Sequence, residues 1–387
     1  MQAILETTIK TVIKKLLSEE VRQKMDIAVP QDIHILSDIF KQHGKPLFLV
    51  GGCVRDALLG KPPKDWDIVT TATPDEVITM LEPFYKIVPK GKVFGIVSVI
   101  MDGEEYEIAT ARTESGYSDQ RRPDKIEFSD FESDSKRRDL GFNALYYDID
   151  KHEIIDYVNG LEDIKNNVVK AVGNPKDRFE EDHLRKLRVL RFTSRMGASI
   201  DQNTEQAILD DNSLNVSPER IRDEFLKGIK SAKSVIGFFQ LIEKFGFWQY
   251  IFPGQIINKN YIENRNVPIV LSALLKDNDP SRIYKVLNLS KYSAEEATQI
   301  SFLLRFQSLG IKNAYAMKKA FKNSHLTKED LVEFADYANM DQPLVEAFNK
   351  YELAISGDNI RNFKGKELGE EITRLETENF KEILDLQ

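Results

Sequence analysis

Two carboxylates, Asp65 and Asp67 in Lys64-Asp65-Trp66-Asp67-Ile68-Val69, are the residues best spaced to do chemistry. Read as part of a strand, residues two apart share a face, so both carboxylates project together and Trp66 points away. Like charges so placed repel unless a cation sits between them, and an oxygen-only, part-hydrated setting suits Mg²⁺. Tyr106-Glu107-Ile108 alternates in the same way and offers Glu107 as a third oxygen ligand. Upstream, Val50-Gly51-Gly52-Cys53-Val54-Arg55-Asp56 reads as a strand entering a short helix through Gly-Gly, where free N–H groups favour an anion. Taken alone, such a Gly-Gly more commonly marks a turn, and such an Asp pair a solvated bend.

The elements that must position these groups follow from patterning. Leu47–Val50 and Gly95–Ile100 are short apolar runs bounded by Gly, Pro or charge, as strands are. Thr73-Pro74-Asp75-Glu76 is a helix start, with Thr73 capping, Pro74 preset at the first position and Glu76 closing a capping box. From about Asn174 the apolar spacing becomes helical, as in Leu184, Leu187 and Leu190 or Ile221, Phe225 and Ile229. The expected fold is an α/β head followed by an all-α remainder. The first twenty residues carry Ile4, Leu5, Ile9, Val12, Ile13, Leu16 and Leu17 at helical spacing. Glu6, Glu19 and Glu20 argue for a packed amphipathic helix rather than a transit peptide.

Composition bounds the function. The 387 residues carry a net charge of −8, which taken whole argues against a nucleic-acid binder. Resolved along the chain, however, Leu326 to Gln387 holds 7 basic and 15 acidic residues and so accounts for the whole excess. Lys165 to Arg195 holds nine basic against four acidic residues, a local surplus suited to salt-dependent phosphate contacts. A single cysteine, Cys53, excludes an internal disulfide framework and fits a reducing cytoplasm. The five scattered histidines give no zinc or His-Asp motif, and no apolar run is long enough for a membrane span.

Several motifs occur in order at suitable spacing: Gly51-Gly52-x-Val54-Arg55-Asp56 with Asp65-x-Asp67, then Arg137-Arg138-Asp139-Leu140-Gly141-Phe142-Asn143-Ala144. Asp156-x-x-x-Gly160-x-x-Asp163, Glu181-Asp182-x-x-Arg185 and Ser217-Pro218-Glu219-Arg220 follow. Together they resemble the signature of the polymerase-β-type nucleotidyltransferases, in particular the class II tRNA nucleotidyltransferases (CCA-adding enzymes) and the related bacterial poly(A) polymerases. Leu140-Gly141-Phe142 stands where many relatives have Phe-Thr-Ile or Phe-Thr-Met. The resemblance implies a nucleotidyltransferase head over 46–160 behind a helical extension over 1–45. A neck over 161–235, a body over 236–325 and an acidic tail over 326–387, all helical, would follow.

The resemblance further implies template-independent addition of CCA to the 3′ end of tRNA from CTP and ATP. An A-adding or CC-adding enzyme and a poly(A) polymerase are the near alternatives, and an inactive RNA-binding relative the distant one. Asp65 and Asp67 would hold two Mg²⁺ ions, with Glu107 as a third catalytic carboxylate. Gly51, Gly52 and Arg55 would cradle the triphosphate, and Arg138, Asp139 and Asn143 would bind ribose and phosphate. Asp182 and Arg185, three apart on one expected helix face, would offer an acceptor and a donor fork matching cytosine and adenine but not uracil or guanine. Arg188 and Arg191 extend the nucleotide site. Arg112, Tyr117, Arg121 and Arg122 belong to a polar stretch read as a mobile loop, whose presence favours full CCA addition over CC addition. Lys165, Lys170, Lys176 and Arg195 would meet RNA, with the tRNA 3′ end and acceptor arm as partner. No obligatory protein partner is implied.

Overall fold

The structure is a computed structural model that describes residues 20–88, 91–117, 123–355, 360 and 363–386. The helix expected over the first twenty residues falls almost wholly outside them. Strands β1 (Val21–Lys24), β2 (Leu47–Val50), β3 (Ile68–Thr70), β4 (Lys86–Val88), β5 (Ile96–Met101) and β6 (Glu104–Thr110) belong to one sheet. After the separate β7 (Arg112–Ser115) and β8 (Lys125–Phe128), β9 (Leu145–Asp148) and β10 (Glu153–Asp156) complete it. The sheet has eight strands in the order β1-β10-β9-β2-β3-β6-β5-β4. Among the described strands of this sheet only β3 and β6 pair in parallel, with Ile68 opposite Ile108, which brings Asp67 level with Glu107.

Helices α1 (Gln31–Gln42), α2 (Gly52–Leu58) and α3 (Pro74–Leu81) accompany these strands. Thr73 and Glu76 form the expected capping box at the start of α3. One face of the sheet packs Leu49, Ile68, Val97 and Val99 against Ile33, Leu36 and Phe40 of α1 and Val77 and Leu81 of α3. This moves the start of the head. Residues 20–45 were expected in a helical extension, yet β1 closes a sheet edge against β10, and α1 buries three side chains completely. An amphipathic helix beside an apolar sheet face has no lower-energy place to go.

The chain divides into two compact units, Met1–Val216 and Ser217–Gln387. The first continues through α4 (Phe131–Lys136), α5 (Gly160–Lys165), α6 (Pro175–Glu181), α7 (Leu184–Met196) and α8 (Gln202–Asp210). The expected neck end at 235 therefore lies inside the second unit, whose first helix is α9 (Pro218–Ser231). Helices are the only regular elements among that unit's described residues, in keeping with the 3.6-residue apolar period. The expected body–tail boundary at 325/326 crosses a single core containing Ile269, Phe302 and Phe306 together with Phe334, Phe348 and Phe380. Lys318 is buried there and donates to the Phe348 carbonyl at 3.1 Å. Glu376, also fully buried, accepts from the Tyr351 hydroxyl at 2.8 Å and from the Ala354 and Ile355 N–H groups. Part of the tail's acidity thus caps backbone instead of facing solvent. Among the described residues no helix is long and apolar enough to cross a membrane.

Two glycines and a carboxylate lock α5 to the turn before β9. A Cβ on Gly160 would lie 2.2 Å from the Gly141 carbonyl oxygen, and one on Gly141 would lie 2.1 Å from Asp163 Oδ2. Gly160→Ala is therefore expected to destabilise the first unit by about 1–3 kcal/mol, read as a lower denaturation midpoint. Burial pushes the Asp163 carboxyl up to about 7, opposed by Lys170 and reinforced by Asp156 and Asp201. An unfolded Asp titrates near 4, so between about pH 4 and 7 the native state binds the extra proton and stability falls as pH rises. Asp163→Asn should flatten that slope in denaturation midpoints measured across this window.

Candidate active site

Gly51 lies at the centre of the site. Its backbone, at φ 79° and ψ −123°, is one that only glycine adopts without strain. A Cβ there would be 3.5 Å from Asp67 Oδ2, 3.6 Å from the Asn143 carbonyl and 3.7 Å from Arg138 Nη1. Three of the expected site residues therefore converge on one glycine. The Gly-Gly turn has a local task as well, because the Gly52 backbone favours the charged form of the Asp67 carboxylate beside it.

Asp65 and Asp67 are not inside a strand. They lie on the bend and extended step leading into β3, which begins only at Ile68. The two-residue spacing still brings them to the same hollows. One of about 630 Å³ is lined also by Trp66, Glu104, Glu105 and Glu107. A smaller one of about 200 Å³ is lined by Arg55, Asp56 and Arg195. The carboxylate pair thus lines both a strongly acidic hollow and one of mixed charge that holds two arginines. Asp67 is exposed as a residue, yet its carboxylate sits close enough against Gly51 and Gly52 for burial to push its pKa up. Arg138 opposes that rise and Asp65 adds to it.

Two carboxylates with mutual repulsion and no nitrogen or sulfur donor fit a hard divalent cation. Among the described residues, no three His, Cys, Asp or Glu side chains are grouped closely enough to hold a metal. Glu107, exposed on β6, shares the larger hollow but is not gathered in as the expected third ligand. Its strand is fixed by the sheet register, whereas Asp65 and Asp67 ride on the preceding bend. A cation here would take the rest of its coordination from water or phosphate oxygens, as Mg²⁺ commonly does.

Behind the glycine turn runs a charged network. Arg55 is 4% exposed, and it donates from Nη1 to Asn143 Oδ1 at 2.5 Å and from Nε to Asp56 Oδ1 at 2.9 Å. These bonds brace the guanidinium, which also lines the smaller hollow beside Gly52, Asp65 and Asp67. Asn143 Nδ2 donates to Asp139 Oδ1 at 3.3 Å, and Arg188 Nε donates to Asp139 Oδ2 at 2.6 Å. Burial opposes ionisation of Asp139, but Arg188, Arg185 and Asn143 hold its pKa below the ordinary value. Arg195, expected on the RNA surface, instead donates to both oxygens of Asp56, at 3.1 and 2.9 Å. Phe192 joins these charges, with the guanidinium carbons of Arg55, Arg188 and Arg191 at 5.0, 5.5 and 4.1 Å from its ring centroid.

Asp182 and Arg185 do not share a helix. Asp182 is extended, at φ −152° and ψ 105°, between α6 and α7, and its Oδ1 accepts from the Leu184 N–H at 3.0 Å. That local bond competes with a continuous helix and opens α7. Arg185 reaches back, donating to Glu181 Oε2 at 2.5 Å, to the Arg178 carbonyl at 3.0 Å and to the Arg137 carbonyl at 3.1 Å.

The stretch read as a mobile loop begins as ordered strand. β7 pairs with β8 from Arg112 opposite Phe128 to Ser115 opposite Lys125. Arg112 binds Glu114 at 2.8 Å and the Phe94 carbonyl, and the Tyr117 hydroxyl donates to Glu114 at 2.7 Å. Arg121 and Arg122 lie outside the described residues. Of the expected RNA contacts, Lys165 pairs with Glu162 at 3.4 Å and Lys176 with Asp210 at 2.7 Å, both exposed, and Lys170 is exposed.

Asp134, Glu114, Asp56 and Phe192 carry much of this network and had no assigned role in the sequence reading. For Asp134 a signal existed, since it stands three and four residues before Arg137 and Arg138. Phe192 is 3% exposed and also meets Phe142 edge-on at 5.4 Å. Phe192→Ala should cost about 3–5 kcal/mol in chemical denaturation.

Residues 47–170 match a family model described as the poly A polymerase head domain, and residues 197–256 match one described as the probable RNA and SrmB-binding site of polymerase A. A CCA-adding enzyme of Lactobacillus helveticus is 48% identical over 187 residues, which cover 48% of this chain and 46% of that protein. The chain thus spans about half the length of the Lactobacillus relatives it matches. A CCA-adding enzyme of Enterococcus faecalis is 34% identical over 359 residues, covering 86% of this chain and 87% of that one. The crystal structure of the Bacillus stearothermophilus CCA-adding enzyme in complex with CTP superposes with a TM-score of 0.70 at 25% identity, over 92% of each chain. The ordered motifs, the glycine-centred carboxylate pair and the near full-length relative agree, and the chain belongs to the CCA-adding enzyme family of tRNA nucleotidyltransferases.

Proposed function

We propose that the protein adds CCA to the 3′ end of tRNA from CTP and ATP without a nucleic-acid template. The observation that carries this reading is the convergence on Gly51 of Asp67, Arg138 and Asn143, with Asp65 beside them and the buried arginine network behind. In this reading Asp65 and Asp67 hold two Mg²⁺ ions, which supply charge neutralisation at the reacting phosphate and lower the barrier to attack by a 3′-hydroxyl. The chain's own residues position the nucleotide. Gly51 leaves room for phosphate to approach the backbone, and Arg138 turns one edge of its guanidinium to the same space. Asp139 and Asn143 present the ribose side, their orientations fixed by Arg188 and Arg55. Little covalent work falls to side chains, since such transfers depend on placement and charge.

Base choice falls to Asp182 and Arg185 in this reading. Cytosine and adenine each offer an amino donor to Asp182 and a ring acceptor to Arg185, whereas uracil and guanine set like against like. Arg185 is held by Glu181 and two carbonyls, so its fork is braced before any base arrives. Exchanging the Glu181 bond for the base would leave the bonds to the carbonyls in place. The partner is the tRNA 3′ end with its acceptor arm, approached by exposed Lys165, Lys170 and Lys176. Surface pairs such as Lys176–Asp210 are weak enough to yield to phosphate.

A narrower reading, an A-adding enzyme or poly(A) polymerase, is favoured by the description of the matching head model. Transcripts ending at the discriminator base, at C and at CC, each given labelled CTP or ATP, separate the readings. Two cytidines followed by one adenosine are expected. Long A tails, or no use of CTP, would overturn CCA addition. Asp67→Ala should lower incorporation by about a thousandfold or more with the fold intact, since it removes a cation ligand at the reacting centre. Arg185→Ala should raise the use of UTP relative to CTP by roughly tenfold, by removing a charged donor that uracil cannot satisfy.

A further inference from the structure

The charged group buried most completely near the site is one the reaction described above does not use. Asp134, in α4, is 0% exposed, and its two oxygens serve two different arginines. Oδ2 accepts from Arg138 Nε at 3.1 Å, from Arg138 Nη2 at 2.9 Å and from the Tyr146 hydroxyl at 2.6 Å. Oδ1 accepts from Arg137 Nε at 3.0 Å, from Arg137 Nη2 at 2.8 Å and from the Arg112 N–H at 3.1 Å. Arg137 then reaches Glu114 Oε1 at 3.1 Å through Nη1, which ties the root of the β7–β8 hairpin to the same carboxylate.

The geometry of Arg138 gives this arrangement a consequence. Its Nε and Nη2 edge is held by Asp134 and Tyr146, with the guanidinium carbon 5.4 Å from the Tyr146 ring centroid. The remaining nitrogen, Nη1, lies toward Gly51 on the side where Asp67 Oδ2 also lies. A planar fork gripped along one edge can present the other in a single direction only. We propose that Asp134 is a positioning residue that aims Arg138 Nη1 into the nucleotide subsite at Gly51, and that Tyr146 is its accessory. The proposal rests on the nucleotidyl-transfer reading, because it supposes that a nucleoside triphosphate occupies that space.

The effect expected of such a residue is weaker nucleotide binding that disappears when Arg138 is absent. Binding of CTP with Mg²⁺ would be measured by calorimetry for the full chain, for Asp134→Asn, for Arg138→Ala and for the double variant. Asp134→Asn should weaken CTP binding about tenfold, the scale of one misdirected charge-assisted hydrogen bond. In the Arg138→Ala background the same change should cost less than about twofold, since the residue through which it acts is gone. Equal losses in both backgrounds, or wild-type affinity in folded Asp134→Asn, would overturn the proposal. A purely structural role would lower the melting temperature and the fraction of competent sites without this dependence on Arg138.

If Asp134→Asn does not fold, Tyr146→Phe decides. It removes one donor from Oδ2 and should weaken CTP binding about two- to threefold, again only while Arg138 is present. An equal loss in both backgrounds, or no loss in wild-type background, would sink the idea. Failure of the wild-type chain to bind CTP at all would overturn the nucleotidyl-transfer reading itself, a different result from wild-type binding that Asp134→Asn leaves unchanged.

Discussion

A charge removed from water must be met by an opposite charge or by several hydrogen bonds, and the region behind the Asp65–Asp67 pair is organised by that constraint. Arg55, Asp134, Arg191 and Asn143 are all buried, while Asp139 and Arg188 are drawn in beside them. Each has its partners: Asp56 and Asn143 for Arg55, Asp139 for Arg188, two arginines for Asp134. Removing one member would strand another in a low-dielectric setting. Such a network admits few alternative arrangements, which is the property a site that works by placement needs.

The same constraint explains the position of the two reactive carboxylates. Asp65 and Asp67 both face open hollows, and burial raises Asp67, whereas at Asp134 the upward push of burial is outweighed by Arg138 and Arg137, which hold it down to about 2. Buried carboxylates behind the site are compensated inside the protein, whereas the pair in front is left for something that arrives. Phe192 lets this contrast persist in a small space. Its ring lies near three guanidinium groups, giving them an attractive face where a further carboxylate would have drawn in more charge.

Local sequence grammar was legible wherever one short interaction decides the backbone. The Thr73 capping box, the turn from Leu47–Val50 through Gly51 into a short helix, and the change to helical period after Asn174 all depend on neighbours within about four residues. Where two such rules compete, the pattern misleads. Asp182 three residues before Arg185 reads as one helix face, but an Asp side chain also accepts from the N–H two residues on, and that bond ends α6 and starts α7. The polar, glycine-containing stretch after Ala111 reads as loop, but its first residues pair with Lys125–Phe128, a partner found only by folding.

The sequence by itself determined the chemistry on offer: paired carboxylates, a Gly-Gly turn, a run of arginines and motifs in family order, because residue type and spacing are local properties. It also determined the division into an α/β head and a helical remainder, since a period of two or of 3.6 is written in the apolar residues themselves. Only the tertiary structure decided which charges pair. Arg195 meets Asp56 at a separation of 139 residues and Arg188 meets Asp139 across 49, and no spacing rule reaches that far. It decided as well that β1 and α1 complete the head and that the acidic tail shares the body's core, because burial belongs to surfaces that form only when distant segments meet.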